Sequence, residues 1–321
     1  MTKIIAELCQ NHNGNIKLLE EMVHAASEAG ASYCKIQSMK SSELVYRERF
    51  EFGELKNGKI ITIKRPYKNE LERLSKLDLT DDDHFFFIEL CNKYKIKPTT
   101  TIFTRSRLKF LKKLNLDLIK IASFDCASHT MIEEVCKTEI PYIVISTGTT
   151  YDDEIEKTVS ILKNYKKKYT LLHCISIYPT PAYEANLNRI NFLKTISDSV
   201  GFSDHSNTDE NGINISIASM LFDVDVIERH FTILPKEKTK DGVVSINFNE
   251  LKTLVEFTKK KKIEIKDYLT KNCPNYLKFF GKEKRVLSEV ELLNRDYYRG
   301  RFASKNKDNL VVNNWEDKSL D

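Results

Sequence analysis

Eight short apolar runs recur along this chain of 321 residues, and segments with helical periodicity separate most of them. Strands that alternate with helices are typical of a parallel α/β protein. The number of runs and their spacing of roughly 30 residues favour a closed (β/α)8 TIM barrel over an open doubly wound sheet. No glycine-rich nucleotide-binding loop follows any run, which weakens the open-sheet interpretation further. The predicted strands are residues 3–8, 32–37, 97–103, 116–123, 141–147, 169–176, 199–204 and 225–231.

One interval between predicted strands is much longer than the others. Residues 38–80 form a polar insertion after the second strand, and in a barrel this position lies at the end that carries the reactive groups. The barrel is expected to close near residue 270, so residues 1–270 are predicted to be the catalytic domain. Residues 271–321 are expected to form a basic C-terminal extension with little strand pattern.

Charge and cysteine content limit the partners and the compartment. The 51 Lys and Arg residues exceed the 46 Asp and Glu residues only slightly, and runs such as residues 259–262 are typical of a solvated helix face, so we expect no nucleic-acid partner. The seven cysteines include no C-x-x-C pair, which argues against a disulfide framework and favours a reducing cytoplasm. Neither a signal peptide nor a membrane span is recognisable, so we expect a soluble cytoplasmic protein without membrane contact.

Polar residues collect where the predicted strands end. Lys35 and Gln37 are two apart and share one face of their strand, and Lys120 is a second lysine within an apolar strand. A single strand lysine often extends to solvent, and a single serine at a strand end often caps the next helix. Two inward lysines with several hydroxyls instead predict a phosphate or carboxylate site. The remaining polar strand-end residues are Glu7, Thr100, Thr101, Ser123, Ser146 and Thr147.

Two histidines close the last two predicted strands. His205 and His230 are neighbours in a closed barrel, and Asp204 and Glu228 stand beside them in sequence. A single histidine is more often a hydrogen-bonded core residue, but a pair on adjacent strands could hold a divalent metal ion with open positions for substrate. We expect Asp204 to support His205, although a helix-capping role is also open. His12 and His173 are weaker candidates.

Seven motifs, taken together, resemble the sialic acid synthase family in order and spacing. They are "IAELCQNHNG" (5–14), "CKIQ" (34–37), "IKIAS" (119–123), "ISTG" (145–148), "LLHCISIYPTP" (171–181), "GFSDH" (201–205) and "VIERHFT" (226–232). The resemblance covers residues 3–270. It implies a (β/α)8 barrel that uses Mn or Mg to condense phosphoenolpyruvate with an N-acyl hexosamine, such as N-acetylmannosamine or a deoxy di-acylated analogue. The product is a nonulosonic acid for surface glycans, and a homodimer is implied as well.

The resemblance also assigns roles to individual residues. It implies that His205 and His230 bind the metal, that Glu7 moves or orients the acceptor's hydroxyl proton, and that Asp125 faces the acceptor. It surrounds phosphoenolpyruvate with Lys35, Thr101, Lys120, Ser123, Ser146 and Ser203. The same pocket is implied for Gln37, Ser176, Tyr178 and Asp241.

The chain departs from the family pattern around the acceptor. "ASFD" (122–125) replaces the usual "ASGE", so Phe124 stands in place of glycine and Asp125 is one methylene shorter than glutamate. The tail is short for the family's antifreeze-like domain, which supplies an arginine to the acceptor. Arg295, Arg299 and Arg301 are candidates for that arginine, against the simpler interpretation of solvated tail residues. Two alternatives stay open, a Schiff-base aldolase using Lys35 or Lys120 and a non-catalytic sugar-binding barrel.

Overall fold

A closed barrel of eight parallel strands forms the centre of the computed structural model, which describes residues 1–321. In chain order the strands are β1 Lys3–Cys9, β2 Tyr33–Ser38, β3 Glu54–Lys56, β4 Lys59–Thr62, β5 Lys97–Ile102, β6 Leu118–Ile121, β7 Tyr142–Ser146, β8 Lys168–His173, β9 Val200–Asp204, β10 Val226–His230, β11 Ser304–Lys305 and β12 Val311–Val312. The order around the barrel is β1-β10-β9-β8-β7-β6-β5-β2. Each run predicted from the sequence overlaps one barrel strand, and the predicted (β/α)8 barrel is confirmed.

Helices surround the barrel and bury its outer face. They are α1 Ile16–Glu28, α2 Arg49–Phe52, α3 Tyr67–Ser75, α4 Asp81–Lys93, α5 Leu108–Leu111, α6 His129–Cys136, α7 Asp152–Asn164, α8 Arg189–Ile196, α9 Thr208–Asn211, α10 Asn214–Ser219, α11 Phe248–Phe257, α12 Lys262–Asn272 and α13 Glu289–Tyr298. The main apolar core, of 59 buried residues, is built from outward-facing strand residues and inward-facing helix residues. None of the helices combines the length and apolar character that a membrane span requires.

Two layers of inward-facing side chains fill the barrel and determine where polar groups can lie. The lower layer is a separate apolar cluster formed by Ile5, Tyr33, Leu118, Val144, Leu172 and Val226. Because side chains two residues apart point to the same face of a strand, the next inward residue lies one layer nearer the carboxyl ends. That upper layer contains Glu7, Lys35, Lys120, Ser146 and Glu228. The apolar layer closes the bottom of the barrel, so the charged layer is open only from above.

The insertion and the C-terminal residues meet over the carboxyl ends of the barrel strands. The insertion contains α2, the β3–β4 hairpin and α3. Backbone hydrogen bonds join it to the C-terminal segment, from Val45 N to the carbonyl of Arg301 and from Ala303 N to the carbonyl of Glu43. A small apolar cluster that includes Leu74 and Phe302 packs beneath this junction. Both segments therefore cover the end of the barrel where the charged layer lies.

Candidate active site

A cavity of about 370 Å³ opens at the carboxyl ends of the barrel strands. Twelve of the fourteen site residues predicted from the sequence line it, and they come from seven barrel strands and from the loops that follow strands. These twelve are Glu7, Lys35, Gln37, Thr101, Lys120, Ser123, Ser146, Tyr178, Ser203, His205, His230 and Asp241. Asp125 and Ser176 do not line it. The cavity therefore gathers predicted residues that are as far apart in sequence as Glu7 and Asp241.

The floor of the cavity is a buried network of two ammonium groups and two carboxylates. Lys35 Nζ is ion-paired with Glu7 and lies 2.9 Å from Glu228 Oε2, and it also donates to Thr101 Oγ1 at 2.9 Å. Lys120 Nζ lies 3.6 Å from Glu228 Oε1. Glu228 thus bridges the two lysines. From the sequence, Glu228 is predicted only to lie beside the histidines, although its alternation with Val226 along the strand indicates an inward position.

Burial and mutual charge shift the pKa values of this network in different directions. Burial raises the pKa of Glu7, and the Lys35 charge only partly opposes the rise. Burial would lower the pKa of Lys35, but the charges of Glu228 and Glu7 outweigh burial and raise the pKa. Burial also would raise the pKa of Glu228, yet Lys120 and Lys35 lower it. Burial lowers the pKa of Lys120. Glu7 is therefore the floor carboxylate best suited to accept and release a proton.

Hydroxyl groups add uncharged donors around the two lysines. Lys120 Nζ donates to Ser146 Oγ at 2.7 Å, and Ser203 Oγ donates to Glu228 Oε1 at 2.8 Å. Ser123 Oγ lies 3.1 Å from the thiol of Cys174. Together with Thr101, these groups surround the ammonium charges with short side chains that can reorient toward an anion. This arrangement can bind the phosphate or carboxylate groups of a small ligand.

His205 and His230 lie next to one another on the cavity wall and are neutral. Their ring centroids are 5.4 Å apart with the rings nearly perpendicular. Burial lowers the pKa of His205 to about 4 and that of His230 further below its ordinary value. His205 Nδ1 donates to the carbonyl of Ile175 at 2.9 Å, which leaves Nε2 as the unprotonated ring nitrogen, 3.3 Å from Ser203 Oγ. The buried His230 Nδ1 has no partner. Neutral imidazoles with available nitrogens fit a divalent metal ion.

Two further donors stand beside His230. Ligand atoms of Cys9, His230 and Asp241 all lie within 4.8 Å of one another. The Cys9 thiol donates to Asp241 Oδ2, which lies 4.0 Å from His230 Nδ1. Cys9 is not among the site residues predicted from the sequence, although its position two residues after Glu7 indicates the same face of the strand. The structure therefore offers a metal more donors than the predicted histidine pair.

The expected support of His205 by Asp204 is wrong. Asp204 Oδ1 lies 2.9 Å from Arg229 Nη1, and Asp204 Oδ2 accepts a hydrogen bond from Ser216 Oγ at 2.5 Å. Alternation along β9 points Ser203 into the barrel, so Asp204 points outward to the helices. There it neutralises the fully buried guanidinium of Arg229. The hydrogen-bond acceptor that orients His205 is the backbone carbonyl of Ile175 instead.

Asp125 and Ser176 lie beside the cavity but outside it. Asp125 Oδ1 accepts hydrogen bonds from Ser128 Oγ and Asn314 Nδ2, both at 2.9 Å, and burial raises its pKa to about 6. Ser176 Oγ is buried without a partner, so close to Gly148 that a Cβ there would lie 2.5 Å away. Asp125 is therefore bonded to the C-terminal segment through Asn314, and Ser176 packs against the turn at Gly148 that follows β7. The weaker histidine candidates His12 and His173 also lie outside the cavity.

Aromatic residues and one arginine of the C-terminal segment form part of the cavity mouth. Phe124 stacks on Tyr298 with ring centroids 5.2 Å apart and an interplanar angle of 16°. Arg301 lines the cavity and is ion-paired with Glu70 of the insertion. The other two arginine candidates, Arg295 and Arg299, lie outside the cavity and form ion pairs with Glu154. Further mouth residues that sequence analysis missed are Arg65, Arg73, Phe103, Lys240 and Tyr297.

A parallel barrel with two buried ammonium groups, one carboxylate suited to proton transfer and two neutral histidines at its carboxyl end has the architecture of a barrel enzyme. Residues 22–268 match the model of the NeuB family. The chain belongs to this family, which confirms the resemblance to the sialic acid synthases found in the sequence.

Named relatives agree with this assignment. The chain is 31% identical over 265 residues to the N,N'-diacetyllegionaminic acid synthase of Campylobacter jejuni, covering 79% of this chain and 74% of the relative. It is 27% identical to the pseudaminic acid synthase of Helicobacter pylori, covering 90% and 84%. The crystal structure of the N-acetylneuraminic acid synthetase of Leptospira borgpetersenii, in complex with citrate, superposes with a TM-score of 0.70 at 28% identity, covering 92% and 90%.

Proposed function

We propose that this protein is a nonulosonic acid synthase. It condenses phosphoenolpyruvate with an N-acyl hexosamine, N-acetylmannosamine or a deoxy di-acylated analogue, adds water and releases phosphate. The observation that carries the proposal is the buried pair Lys35 and Lys120, surrounded by hydroxyls and placed beside two neutral histidines. The names of the relatives support the same class of product.

Phosphoenolpyruvate is proposed to bind on the floor of the cavity. Its phosphate and carboxylate would be held by Lys35 and Lys120, with hydroxyl donors from Thr101, Ser123, Ser146 and Ser203. A low-dielectric floor strengthens these charge-assisted hydrogen bonds. Because the donors are already positioned, little reorganisation is needed as charge develops on the departing phosphate.

The proposed metal site uses His205 and His230, with Mn or Mg as the ion. A bound divalent ion would polarise the aldehyde oxygen of the open-chain sugar as a Lewis acid. The protein's contribution is to keep both imidazoles neutral by burial and to fix the His205 ring through the Ile175 carbonyl. Gln37 and Tyr178 line the same wall and shape the space next to the histidines.

The proposed reaction proceeds by two additions and one cleavage. C3 of phosphoenolpyruvate forms a bond to the aldehyde carbon, and the aldehyde oxygen takes up a proton, which Glu7 is suited to supply because burial raises its pKa. Positive charge develops at C2, where water adds and loses a proton. The C–O bond to phosphate then breaks, giving the 2-keto acid and inorganic phosphate. Phosphoenolpyruvate, sugar and water together therefore account for all atoms of the 2-keto acid and the inorganic phosphate.

A cytoplasmic location and a homodimer are also part of the proposal. All seven cysteines are unpaired, which agrees with a reducing compartment such as the cytoplasm. A homodimer remains a prediction from the family resemblance.

Release of phosphate from phosphoenolpyruvate tests the proposal. The protein is given each of a panel of N-acyl hexosamines with Mn²⁺ or Mg²⁺ and again with a chelator. We expect release with at least one sugar, and loss of release with chelator. Lys120→Met should lower turnover by about 10²-fold or more, whereas Lys97→Met, at an exposed lysine on the opposite end of the barrel, should not. No release with any sugar would contradict the proposal.

A Schiff-base aldolase is the alternative that the lysines raise. Lys35 is held protonated by its two carboxylate partners, which opposes a nucleophilic role. Burial lowers the pKa of Lys120, so that residue is the one to test. Borohydride trapping of substrate on Lys120, with activity that survives the chelator, would favour the aldolase. Sugar binding without turnover or metal dependence would instead favour a non-catalytic barrel.

A further inference from the structure

Cys9 occupies an unusual backbone position at the end of β1. The pairing of β1 with β2 shifts register between Glu7 and Cys9, and Cys9 has a φ of 53°, in the left-handed region that non-glycine residues rarely adopt. Its backbone N–H donates to Glu7 Oε1 at 2.6 Å. The thiol lines the cavity beside Glu7, whereas the intervening Leu8 packs in the core.

The thiol meets two other metal-binding side chains from a distant part of the chain. His230 ends β10 and Asp241 lies in the following loop, and both direct ligand atoms at Cys9 within 4.8 Å. His230 Nδ1 is buried and has no hydrogen-bond partner. Gln37 Nε2 also lies 3.5 Å from Cys9 Sγ. An unpartnered buried imidazole nitrogen facing a thiol and a carboxylate is a donor set suited to a transition metal.

We propose that Cys9 is a thiolate ligand of the metal centre, together with His230 and Asp241. Coordination replaces the S–H bond of Cys9 by a sulfur–metal bond and releases that proton to solvent, and Asp241 exchanges its hydrogen bond from the thiol for the metal. No change of oxidation state is involved. Because thiolate is a soft ligand, the site should prefer transition-metal ions to Mg²⁺.

The inference rests on the proposed function for the presence of a metal, but its test requires no turnover. Metal-free full-length protein is titrated with Co²⁺ while the absorption spectrum is recorded. We expect a near-ultraviolet thiolate-to-Co²⁺ charge-transfer band that saturates at one ion per chain. Cys9→Ser should abolish the band and weaken Co²⁺ binding by about 10–100-fold or more. Cys273→Ser, at a half-buried thiol at the end of α12, is the matched control and should keep the band.

Several outcomes would overturn the proposal. Stoichiometric Co²⁺ binding by the unaltered protein without the charge-transfer band would do so, and this result does not depend on the folding of any variant. A band that persists in Cys9→Ser would do so as well. If the band is absent while phosphate release stays metal-dependent, the proposed function stands and the Cys9 ligand does not. If the band is present and no sugar is turned over, the Cys9 ligand stands and the proposed function does not.

Discussion

Replacing Glu228 by glutamine removes the one carboxylate that touches both buried lysines. Coulomb's law with an effective dielectric constant of about 20 gives roughly 6 and 5 kcal/mol for ammonium–carboxylate distances of 2.9 and 3.6 Å. The variant also avoids the free-energy cost of burying a charged carboxylate, and this gain offsets more than half of the summed attraction. We therefore expect Glu228→Gln to lower the free energy of unfolding by about 3–5 kcal/mol at neutral pH.

The pH dependence of this loss has a definite sign. Lys120 and Lys35 lower the pKa of Glu228 in the folded protein below its ordinary value of 4.5. The carboxylate therefore contributes stability above that ordinary value, and the contribution is lost as the pH falls toward the lowered folded pKa. Urea unfolding of both proteins, followed from neutral to acid pH, should show their difference narrowing as the solution becomes acidic.

A ligand anion should take the place of the missing carboxylate. Phosphoenolpyruvate at about 100 times its dissociation constant stabilises a protein by roughly 2.7 kcal/mol. The same concentration should stabilise Glu228→Gln more than the unaltered protein, because the variant leaves both ammonium groups without a shared anion. Glu237→Gln, at an exposed carboxylate, is the control. It should change neither the free energy of unfolding nor the stabilisation by phosphoenolpyruvate. Equal stability of Glu228→Gln and the unaltered protein, within about 0.5 kcal/mol, would refute the electrostatic reasoning.

Two further substitutions separate structural from acceptor-binding roles. Burial raises the pKa of Asp125 to about 6, so the cost of its ionisation appears as the pH rises from 3.8 through that value. Urea unfolding should show Asp125→Asn more stable than the unaltered protein by about 2–3 kcal/mol at neutral pH and equal to it in acid, with unchanged turnover. Arg301→Gln should raise the acceptor KM by about 10–100-fold and leave the phosphoenolpyruvate KM unchanged, because Arg301 lies at the mouth.

The Asp125 and Arg301 predictions can each be contradicted by a specific result. A loss of turnover in Asp125→Asn would show that this carboxylate acts on the acceptor, as the family pattern implies, despite its position outside the cavity. Arg73 Nη2 lies 2.8 Å from Glu70 Oε1, so Glu70 keeps a partner when Arg301 is replaced. Arg299→Gln, two residues away and outside the cavity, should leave both KM values unchanged. If Arg301→Gln changed the KM values of the acceptor and of phosphoenolpyruvate equally, Arg301 would contribute to folding rather than to acceptor binding.

Strand alternation explains why so much of the cavity could be predicted from the sequence. An inward apolar residue such as Tyr33 or Val144 is followed two positions later by a polar residue at the cavity floor, and this pattern is local. The same rule would have placed Glu228 inward and Asp204 outward. What it cannot reveal is the bulge before Cys9, since a register shift depends on the neighbouring strand.

The mouth of the cavity could not be predicted because it is built from segments that are remote in sequence. Arg73 belongs to the insertion and Arg301 to the C-terminal segment, and both contact Glu70. Their proximity depends on backbone hydrogen bonds between the two segments and on a shared apolar cluster. None of these contacts has a local sequence signal. Composition identified the tail as basic but could not indicate which of its arginines enters the cavity.

Phe124 connects the two departures from the family pattern. The family usually has glycine at this position, and here the ring stacks on Tyr298 of α13 and lies 6.3 Å from the ring of Phe103. Glycine would leave a gap as large as an aromatic ring between the barrel and the C-terminal segment, at the wall that also contains Arg301. The altered motif and the tail are therefore one structural feature, in which the C-terminal segment forms part of the cavity mouth. If the proposed function holds, we expect acceptor choice at that wall to depend on these residues rather than to follow the acceptors of relatives.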